Sequence, residues 1–452
     1  MTLPARFLAE LTAAVPTAST EESSRAAVAV DRSGIVAEGV PDVVVRASTV
    51  GDVRATLRLA FEHGVPVVPR GAGTGLAGGA VAAPGTLVLD VSGMNRIVSL
   101  DPVDQIAHVE PGVITADLDR AAGEHGLRYA PDPASAAIST IGGNVATNAG
   151  GLRCVKYGVT RDAVLGLEVV LADGTLISTG RATLKGVAGL DLTGLFVGSE
   201  GTLGVVVGAT VRLRPLPERT LTVAASFAGV EAAARACAAL AQDRRDPAML
   251  ELLDQATLQV VDDAQGTAYA QRGGALVIAQ ADGPAAQTEI EAIAEVLGKE
   301  ATWIEQGVDE EASARLVAAR RLALPSIETK GSVLIEDICV PRSRLAEAFA
   351  GVEEVARRRN VRIYSFAHAG DGNLHPLIGY PAGPVPKEVI AAGDDIFGIA
   401  LDLGGTVTAE HGIGLLKRSW LAREVGPEAL GVHRAIKAAL DPRGILNPGK
   451  GY

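Results

Sequence analysis

Three glycine-rich segments in the first half of the chain constrain its fold more than any other feature. They are Pro69-Arg70-Gly71-Ala72-Gly73-Thr74-Gly75-Leu76-Ala77-Gly78-Gly79, residues 139–151 and residues 198–204. Small side chains allow successive backbone N–H groups to point inward at an anion, as in a pyrophosphate cradle. One such segment alone could equally be a plain turn. Three of them in one predicted domain indicate an extended ligand with phosphate groups and a flat ring.

The first segment contains a literal G-x-G-x-x-G pattern from Gly73 to Gly78, which is typical of a dinucleotide-binding Rossmann fold. That fold requires a helix that begins at the glycines. Here the following residues contain Pro84-Gly85 and lead into a predicted strand. The sequence therefore excludes the Rossmann arrangement and leaves a phosphate cradle without a helix terminus.

The composition is that of a globular protein with two domains. The chain has 452 residues, of which 48% are hydrophobic and 21% charged, and this length exceeds one ordinary core. Its net charge of −12 would repel a phosphate backbone, so nucleic acid is a poor partner.

The cysteine pattern and the N-terminus bear on the compartment. Cys154, Cys237 and Cys339 have no metal-finger spacing and are expected to be buried bystander thiols. The N-terminus lacks a secretory signal, and no segment reaches about 18 uninterrupted apolar residues. We therefore expect a soluble, cytoplasmic protein, with peripheral docking at a membrane left open.

Strand and helix patterns predict mixed α and β structure throughout. In the first domain we expect a helix at 51–63, capped by Ser48 or Thr49 and ended by Gly64. Further predicted elements there are a helix at 116–125, strands at 43–46, 65–68, 86–91, 106–110 and 203–213, and a hairpin at 165–178 with a two-residue turn at Asp173-Gly174. Strands at 221–227, 275–280, 333–340 and 361–366, and a helix near 428–440, complete the prediction. The expected domains are an N-terminal segment 1–36, a first domain 37–217, a second domain 218–406 and a C-terminal segment 407–452.

Two histidines flank a predicted turn in the second domain. In Phe366-Ala367-His368-Ala369-Gly370-Asp371-Gly372-Asn373-Leu374-His375, the pair Asp371-Gly372 is preferred in two-residue hairpin turns. Counting outward from this turn predicts His368 directly opposite His375, with Cβ atoms about 5 Å apart. Both imidazoles could then bind one metal ion.

A third ligand is expected in Thr408-Ala409-Glu410-His411-Gly412-Ile413-Gly414. If the backbone is extended there, adjacent side chains diverge, so Glu410 could bind metal while His411 faces a substrate. Two histidines and a carboxylate suit Zn²⁺, but Fe²⁺ and Mn²⁺ accept similar ligands, so the metal stays open. A single histidine is more often a surface or core residue, and that interpretation is kept for His63, His108, His125 and His433.

Together with Lys156-Tyr157-Gly158, the three glycine-rich segments resemble the FAD-binding domain of the vanillyl-alcohol oxidase and p-cresol methylhydroxylase (PCMH) superfamily. Within it the chain is most similar to FAD-linked D-2-hydroxyacid dehydrogenases, a family that includes D-lactate dehydrogenase and the FAD subunit of glycolate oxidase. The resemblance spans about residues 42–450. It implies an α+β flavoprotein with a PCMH-type FAD-binding domain and an α+β cap domain that contains an antiparallel sheet.

The resemblance also implies how FAD is held. Relatives that tether the flavin covalently through the first segment carry histidine there, whereas this segment has Thr74 and no His or Cys, so FAD would be non-covalent. The turn at Asn447-Pro448-Gly449-Lys450 would return to the flavin. The residues expected to contact FAD are Pro69, Arg70, Gly71, Ala72, Gly73, Thr74, Gly75, Gly78, Pro133, Ser135, Gly142, Gly143, Asn144, Thr147, Asn148, Gly150, Gly151, Tyr157, Gly158, Glu200, Gly201, Gly204, Val205 and Asn447.

The family motifs H-x-G-D-G-N-x-H and A-E-H-G-x-G are complete in this chain. By resemblance they imply His368, His375 and Glu410 as metal ligands and His411 as the catalytic base. Every position of both motifs is filled.

The substrate arginine is also inferred from the resemblance. Arg320 resembles the family's substrate arginine, whose guanidinium can bind both oxygens of a carboxylate. A solvated helix arginine, with Arg321 as the competitor, remains an open alternative. Val317 stands where the family commonly has Trp, and Ile335 where relatives of the D-2-hydroxyglutarate type have Lys, so a dicarboxylate substrate is disfavoured.

The expected function is FAD-dependent oxidation of a small D-2-hydroxy acid, such as D-lactate, glycolate or a longer analogue. In this hypothesis a metal lowers the pKa of the substrate hydroxyl, His411 removes its proton, and C2 passes a hydride to flavin N5. Two alternatives stay open: a non-redox flavin enzyme resembling alkyl-glycerone-phosphate synthase, and a subunit that relays electrons in a larger complex. The electron acceptor (a cytochrome, a quinone or an electron-transfer flavoprotein) and a homodimeric state also stay open.

Overall fold

The computed structural model describes residues 3–307 and 309–452. The chain divides into two compact units. Unit 1 comprises Met1–Gly150, Gly158–Leu216 and Glu410–Tyr452, and unit 2 comprises Gly151–Tyr157 and Pro217–Ala409. The first two residues of the predicted segment 1–36, and residue 308 of the predicted domain 218–406, lie outside the described residues. The sequence did not predict that residues 151–157 would join unit 2.

The described chain contains both helices and strands throughout its length. The helices are α1 (Ala5–Ala14), α2 (Glu22–Ala26), α3 (Val50–His63), α4 (Thr115–Gly123), α5 (Ile141–Thr147), α6 (Cys154–Tyr157), α7 (Thr160–Ala163), α8 (Leu192–Phe196), α9 (Val230–Gln242), α10 (Gln255–Gln265), α11 (Ala286–Gly298), α12 (Glu310–Arg321), α13 (Ala323–Glu328), α14 (Leu345–Arg359), α15 (Lys387–Asp402) and α16 (Arg418–Leu440), with 3₁₀ turns at Tyr269–Gln271 and Arg342–Arg344. The strands are β1 (Ala18–Ser19), β2 (Val43–Arg46), β3 (Val67–Arg70), β4 (Leu87–Asp90), β5 (Ile97–Asp101), β6 (Ile106–Val109), β7 (Leu127–Arg128), β8 (Val164–Val170), β9 (Leu176–Gly180), β10 (Val205–Arg212), β11 (Arg214–Pro215), β12 (Thr220–Phe227), β13 (Met249–Asp254), β14 (Ala275–Asp282), β15 (Trp303–Gln306), β16 (Ser332–Ile335), β17 (Ile338–Cys339), β18 (Arg362–His368) and β19 (Asn373–Tyr380).

A small sheet in unit 1 carries the first glycine-rich segment at the end of β3. Its strand order is β1-β2-β4-β3, and β2 and β3 run parallel to β4. The predicted helix before β3 is confirmed as α3: the Thr49 hydroxyl accepts the N–H of Asp52 at 3.1 Å, and Gly64 ends the helix with φ 67°. The prediction of β3 at 65–68 is wrong by two residues, because the N–H of Val65 still bonds the carbonyl of Ala60 to close that helix end.

A second sheet in unit 1 is antiparallel, with strand order β5-β6-β10-β8-β9. The hairpin of β8 and β9 is confirmed, but its predicted two-residue turn is wrong. The N–H of Leu171 bonds the carbonyl of Thr175 at 2.9 Å, so the loop has three residues. Gly174 occupies its left-handed position with φ 85°, as such loops require.

Unit 2 is built on one antiparallel sheet, as expected for the cap domain. The strand order is β15-β12-β14-β13-β18-β19-β16, with β17 also pairing β19. Buried Leu276, Leu316 and Phe366 belong to the apolar cluster that joins this sheet to its helices. The predicted strand 333–340 is split into β16 and β17 at Glu336-Asp337. At this point the partner strand β19 places Pro376 opposite Glu336: the N–H of Glu336 bonds the carbonyl of Pro376, but proline has no N–H to return a bond.

No helix in the described ranges is long and apolar enough to cross a membrane.

The three cysteines differ in burial. Cys237 is buried as expected, whereas Cys154 and Cys339 are only partly buried, so the expectation of buried thiols was wrong for these two. Burial, with Asp371 and Asp337 nearby, raises the pKa of the Cys339 thiol to about 12, so it stays protonated and unreactive at neutral pH.

Candidate functional site

The three glycine-rich segments, far apart in sequence, meet in unit 1. Gly71 in the first segment lies against Thr140 and Gly143 in the second. A Cβ atom at Gly201 in the third would lie 3.0 Å from Pro69. The N–H of Glu200 donates to the carbonyl of Ala146 at 2.8 Å. The segments therefore form one surface.

The first segment presents a row of backbone donors. Within residues 3–307 and 309–452, no protein acceptor takes a hydrogen bond from the N–H groups of residues 71–79. Partly buried backbone donors without a protein partner need another acceptor. Consecutive N–H groups of this kind are suited to phosphate oxygens.

The second segment contains helix α5, which the sequence did not predict. The Thr140 hydroxyl accepts the N–H of Gly143 at 3.2 Å, and Asn148 ends the helix in a left-handed conformation with φ 58°. The Asn144 amide donates to Thr115, and the Asn148 side chain accepts the N–H of Arg161. These two predicted cofactor contacts thus use their side chains to hold the segment's own structure.

Asn447 connects the C-terminal segment to two of these glycine-rich segments. Its Nδ2 donates to the carbonyls of Gly79 at 3.0 Å and Glu200 at 2.7 Å. Its Oδ1 is buried and has no hydrogen-bond partner in the described chain. A buried acceptor without a partner fits a ligand that brings an N–H or O–H group. With the donors of residues 71–79, unit 1 therefore fits a dinucleotide such as FAD.

Some predicted cofactor residues lie elsewhere or are used in packing. Tyr157 and Gly151 belong to unit 2, where the Tyr157 hydroxyl and the Lys156 ammonium each donate to Asp282 at 2.6 Å. Val205 is in the apolar core of unit 1. Pro133 is buried, and Ser135 and Thr147 are partly buried.

The two motif histidines lie together in unit 2, but not in the predicted register. His368 pairs with Asn373, and His375 pairs with Phe366, so the histidines are diagonal neighbours on one face of the sheet. The predicted two-residue turn is wrong because the N–H groups of Asp371 and Gly372 both bond the carbonyl of His368, which makes a four-residue loop. The ring centroids are 5.1 Å apart, and ring nitrogens lie within 4.8 Å of each other.

Each of these imidazoles has a carboxylate beside its Nδ1. His368 Nδ1 is 2.8 Å from Glu251 Oε1, and His375 Nδ1 is 3.8 Å from Asp337 Oδ1. Carboxylates in this position orient metal-binding histidines and select Nε2 as the ligand atom. The pair is therefore chemically suited to a divalent cation such as Zn²⁺.

Arg320 shares the carboxylate of Glu251 with His368. Arg320 Nε donates to Glu251 Oε2 at 2.6 Å, and its guanidinium lies over the Phe366 ring at 4.0 Å. The Arg320 side chain is 10% exposed and Glu251 is fully buried, whereas Arg321 is exposed. The open alternative of a solvated Arg320 is therefore wrong.

Sequence reasoning missed Glu251 and Asp337. Asp337 accepts hydrogen bonds from the Asn373 amide at 2.6 Å, the Thr408 hydroxyl at 2.9 Å and the N–H of Ala409 at 2.8 Å. The available signal was a single acid inside an apolar strand run, Met249-Leu250-Glu251-Leu252-Leu253, because a buried acid in such a run requires partners.

Glu410 and His411 belong to unit 1 and follow directly after Ala409 in the chain. A Cβ atom at Gly150 would collide with the Glu410 carboxylate, so this glycine allows the carboxylate to approach the second segment. Beyond His411 the chain turns through Gly412 with φ 85° and Gly414 with φ 49°.

Lys450 lies in the same C-terminal turn as Asn447, and its shifted pKa makes the free energy of unfolding depend on pH. Burial lowers its pKa to about 8, against the opposing charges of Asp31 and Glu200. Between this value and 10.5 the unfolded chain binds a proton that the folded chain lacks, so the free energy of unfolding rises with pH there. Relative to a Lys450→Met variant, the wild type should gain about 2–3 kcal/mol between about pH 7.5 and 10. Urea unfolding of both FAD-saturated proteins measures this difference, and a gap that does not change with pH would contradict it.

Two family models match the chain. The model described as FAD linked oxidases, C-terminal domain, matches residues 216–451, and the model described as FAD binding domain matches residues 41–180. Over 419 residues the chain is 43% identical to glycolate oxidase subunit GlcD of Bacillus subtilis, covering 91% of this chain and 89% of that protein. Over 435 residues it is 33% identical to D-lactate dehydrogenase of Anaerostipes hadrus, covering 93% and 91%.

Solved structures share the fold at low sequence identity. A 4-ethylphenol oxidase from Gulosibacter chungangensis has a TM-score of 0.82 at 20% identity, covering 99% of this chain and 97% of that one. A p-cresol methylhydroxylase has a TM-score of 0.81 at 18% identity, covering 98% and 96%. The expected α+β class with a PCMH-type FAD-binding domain is thereby confirmed.

Proposed function

This chain belongs to the family of FAD-linked oxidases, and we propose that it oxidises a small D-2-hydroxy acid, or the achiral glycolate, to the 2-oxo acid. Relatives named glycolate oxidase subunit and D-lactate dehydrogenase support this substrate class. We also propose that residues 37–217 and 407–452 hold FAD non-covalently and that residues 218–406 hold the substrate.

The observation that carries the proposal is the Glu251 carboxylate shared by Arg320 and His368. Glu251 bonds only the Nε of Arg320. The two Nη groups of Arg320 have no protein acceptor in residues 3–307 and 309–452, so they can bind another anion. A guanidinium binds a carboxylate with two parallel hydrogen bonds. A 2-hydroxy acid held there would have its hydroxyl carbon next to its bound carboxylate.

The proposed metal ligands are His368, His375 and Glu410. Asp337 supports this set, because it lies beside His375 and also bonds the N–H of Ala409, the residue before Glu410. Zn²⁺ is the first choice for such a set, with Fe²⁺ and Mn²⁺ as the alternatives. When bound, the cation would supply a Lewis acid and FAD a two-electron acceptor.

Oxidation of a 2-hydroxy acid removes a proton from the hydroxyl and a hydride from C2. The chain must provide the group that takes the proton, and we propose His411 for this role because histidine is the side chain that most often acts as a general base. Arg320 would hold the carboxylate and so keep the hydroxyl oriented toward the base.

The substrate is proposed to carry one carboxylate. Val317 and Ile335 both pack in the apolar cluster of unit 2, and neither offers a charge to a second carboxylate.

The electron acceptor is proposed to be a cytochrome, a quinone or an electron-transfer flavoprotein, in the cytoplasm or at the membrane surface. A protein partner is supported by the relatives that are named as subunits of glycolate oxidase. A homodimer is the alternative assembly.

Anaerobic reduction of the bound flavin tests the proposal. The FAD-loaded protein is mixed with D-lactate, L-lactate, glycolate and longer D-2-hydroxy acids, and the visible absorbance of the flavin is followed. We expect bleaching by D-lactate or glycolate, little by L-lactate, and a loss of about 10-fold or more in rate after chelation, since the Lewis acid contributes several kcal/mol. Re-addition of Zn²⁺ should restore the rate. A flavin that no 2-hydroxy acid reduces would reject the proposal and favour a non-redox or electron-relay role.

A further inference from the structure

The side chain of Glu200, a residue of the third glycine-rich segment, bonds the turn that follows His411. Its Oε1 accepts the N–H of Ile413 at 2.8 Å, and its Oε2 accepts the N–H of Gly414 at 2.7 Å. Each carboxylate oxygen therefore receives one main-chain donor. Such charge-assisted hydrogen bonds are stronger than those between neutral groups.

The turn needs an anchor because of its own sequence. Gly412 and Gly414 both have positive φ, a conformation that glycine adopts freely and that loses the most entropy when it is fixed. On its other side the turn is bonded to the first glycine-rich segment, since the N–H of Leu415 donates to the carbonyl of Ala77 at 2.8 Å. Glu200 supplies the anchor on the side nearest His411.

Glu200 is itself fixed from both sides. It has φ 53°, which is uncommon for a residue with a side chain. Its N–H donates to the carbonyl of Ala146 at 2.8 Å, and its carbonyl accepts the Asn447 amide at 2.7 Å. The carboxylate thus stands on a main chain held by the second segment and the C-terminal turn. Burial raises the pKa of Glu200, and this rise is opposed by the two N–H donors and by Lys450 and Lys417.

We propose that Glu200 is a positioning residue for the base: its carboxylate fixes residues 412–414 and thereby sets the place of His411 relative to the cofactor segments. The inference rests on the proposed role of His411. It goes beyond the predicted contact of Glu200 with FAD, because the side chain acts on the base's turn. An error of about 1 Å in the position of a reacting group can lower a rate about 100-fold.

The test compares Glu200→Gln and Glu200→Ala with the wild type, all as full-length FAD-loaded proteins. Glutamine keeps one acceptor oxygen and alanine keeps none, so the rate of flavin reduction by D-lactate should fall in the order Glu, Gln, Ala, by about 10-fold and about 100-fold. The substrate concentration at half-maximal reduction rate and the Kd for FAD should change less than about 2-fold. The substrate carboxylate is proposed to bind Arg320, and the main-chain bonds of Glu200 to Ala146 and Asn447 do not depend on its side chain. Glu124→Gln, an exposed change in the same unit, is the control and should keep the wild-type rate.

Two outcomes would overturn the inference: unchanged reduction rates in both variants, or slower reduction explained entirely by weaker FAD binding. Hydrogen exchange in the wild type gives a second test that needs no variant. The amides of Ile413 and Gly414 should exchange at least about 100-fold more slowly than in an unstructured peptide, and unprotected amides would also overturn it. If no 2-hydroxy acid reduces the wild-type flavin, the proposed function fails, and the exchange measurement still decides whether Glu200 holds the turn.

Discussion

A His411→Ala variant is expected to retain FAD and to reduce it about 10²–10⁴-fold more slowly than the wild type with the best 2-hydroxy acid. The expectation follows from the proposed role of His411 as acceptor of the hydroxyl proton. Without it, water must take the proton, while the carboxylate contact of Arg320 and the cofactor surface of unit 1 stay in place. Stopped-flow absorbance under anaerobic conditions measures the rate, and a flavin titration measures cofactor retention.

The same experiment has a matched control in unit 1. His125 is exposed, lies just beyond helix α4 and has no proposed role, so His125→Ala should reduce flavin at the wild-type rate. A His411→Ala protein that reduces flavin within about 3-fold of the wild type would remove this residue from the mechanism.

The sequence predicted correctly those elements whose ends are determined by neighbouring residues. Helix α3 was predicted within one residue because the signals for both of its ends are local. Thr49 and Asp52 bond each other's main-chain N–H groups at the start, and Gly64 ends the helix in a left-handed conformation. The Rossmann alternative was excluded correctly, since the residues after Gly78 lead to β4 without a helix. The glycine-rich segments were recognised one by one, but only the fold shows that Gly71 meets Thr140 and Gly201 meets Pro69.

Register and remote partners could not be obtained in this way. The pairing of His368 with Asn373 is set by two N–H groups that bond one carbonyl, whereas Asp-Gly by itself fits a shorter turn equally well. Glu251 lies 117 positions before His368, and the Arg320 contact spans 69 positions, so no local window contains both groups. The acidic residue in an apolar strand was a visible signal, but its partners depend on the antiparallel pairing of β13 with β18.

The role of Glu251 leads to the second large effect, on stability. Glu251 is fully buried between Arg320 and His368, so a Glu251→Ala variant leaves a buried guanidinium without its partner. Breaking a buried pair from one side costs about 3–5 kcal/mol of the free energy of unfolding. Urea unfolding of the FAD-saturated protein measures the loss. Glu231→Ala, which breaks the exposed ion pair with Arg235 on helix α9, is the matched control and should cost at most about 1 kcal/mol.

A double variant separates the stability role of the Glu251–Arg320 pair from its role in the site. Replacing both groups with apolar side chains, as in Glu251→Leu with Arg320→Met, removes the uncompensated charge and should recover most of the lost stability, because buried pairs are often replaceable by apolar residues. The double variant should nevertheless fail to reduce flavin with D-lactate, since the proposed carboxylate anchor is gone and His368 has lost the acceptor at Nδ1. Recovery of stability without recovery of flavin reduction would mean that the buried pair is kept for the site rather than for the fold. A double variant as unstable as Glu251→Ala would instead assign the loss of stability to the missing contact between Glu251 and His368, and would show that the unpaired Arg320 charge is not its cause.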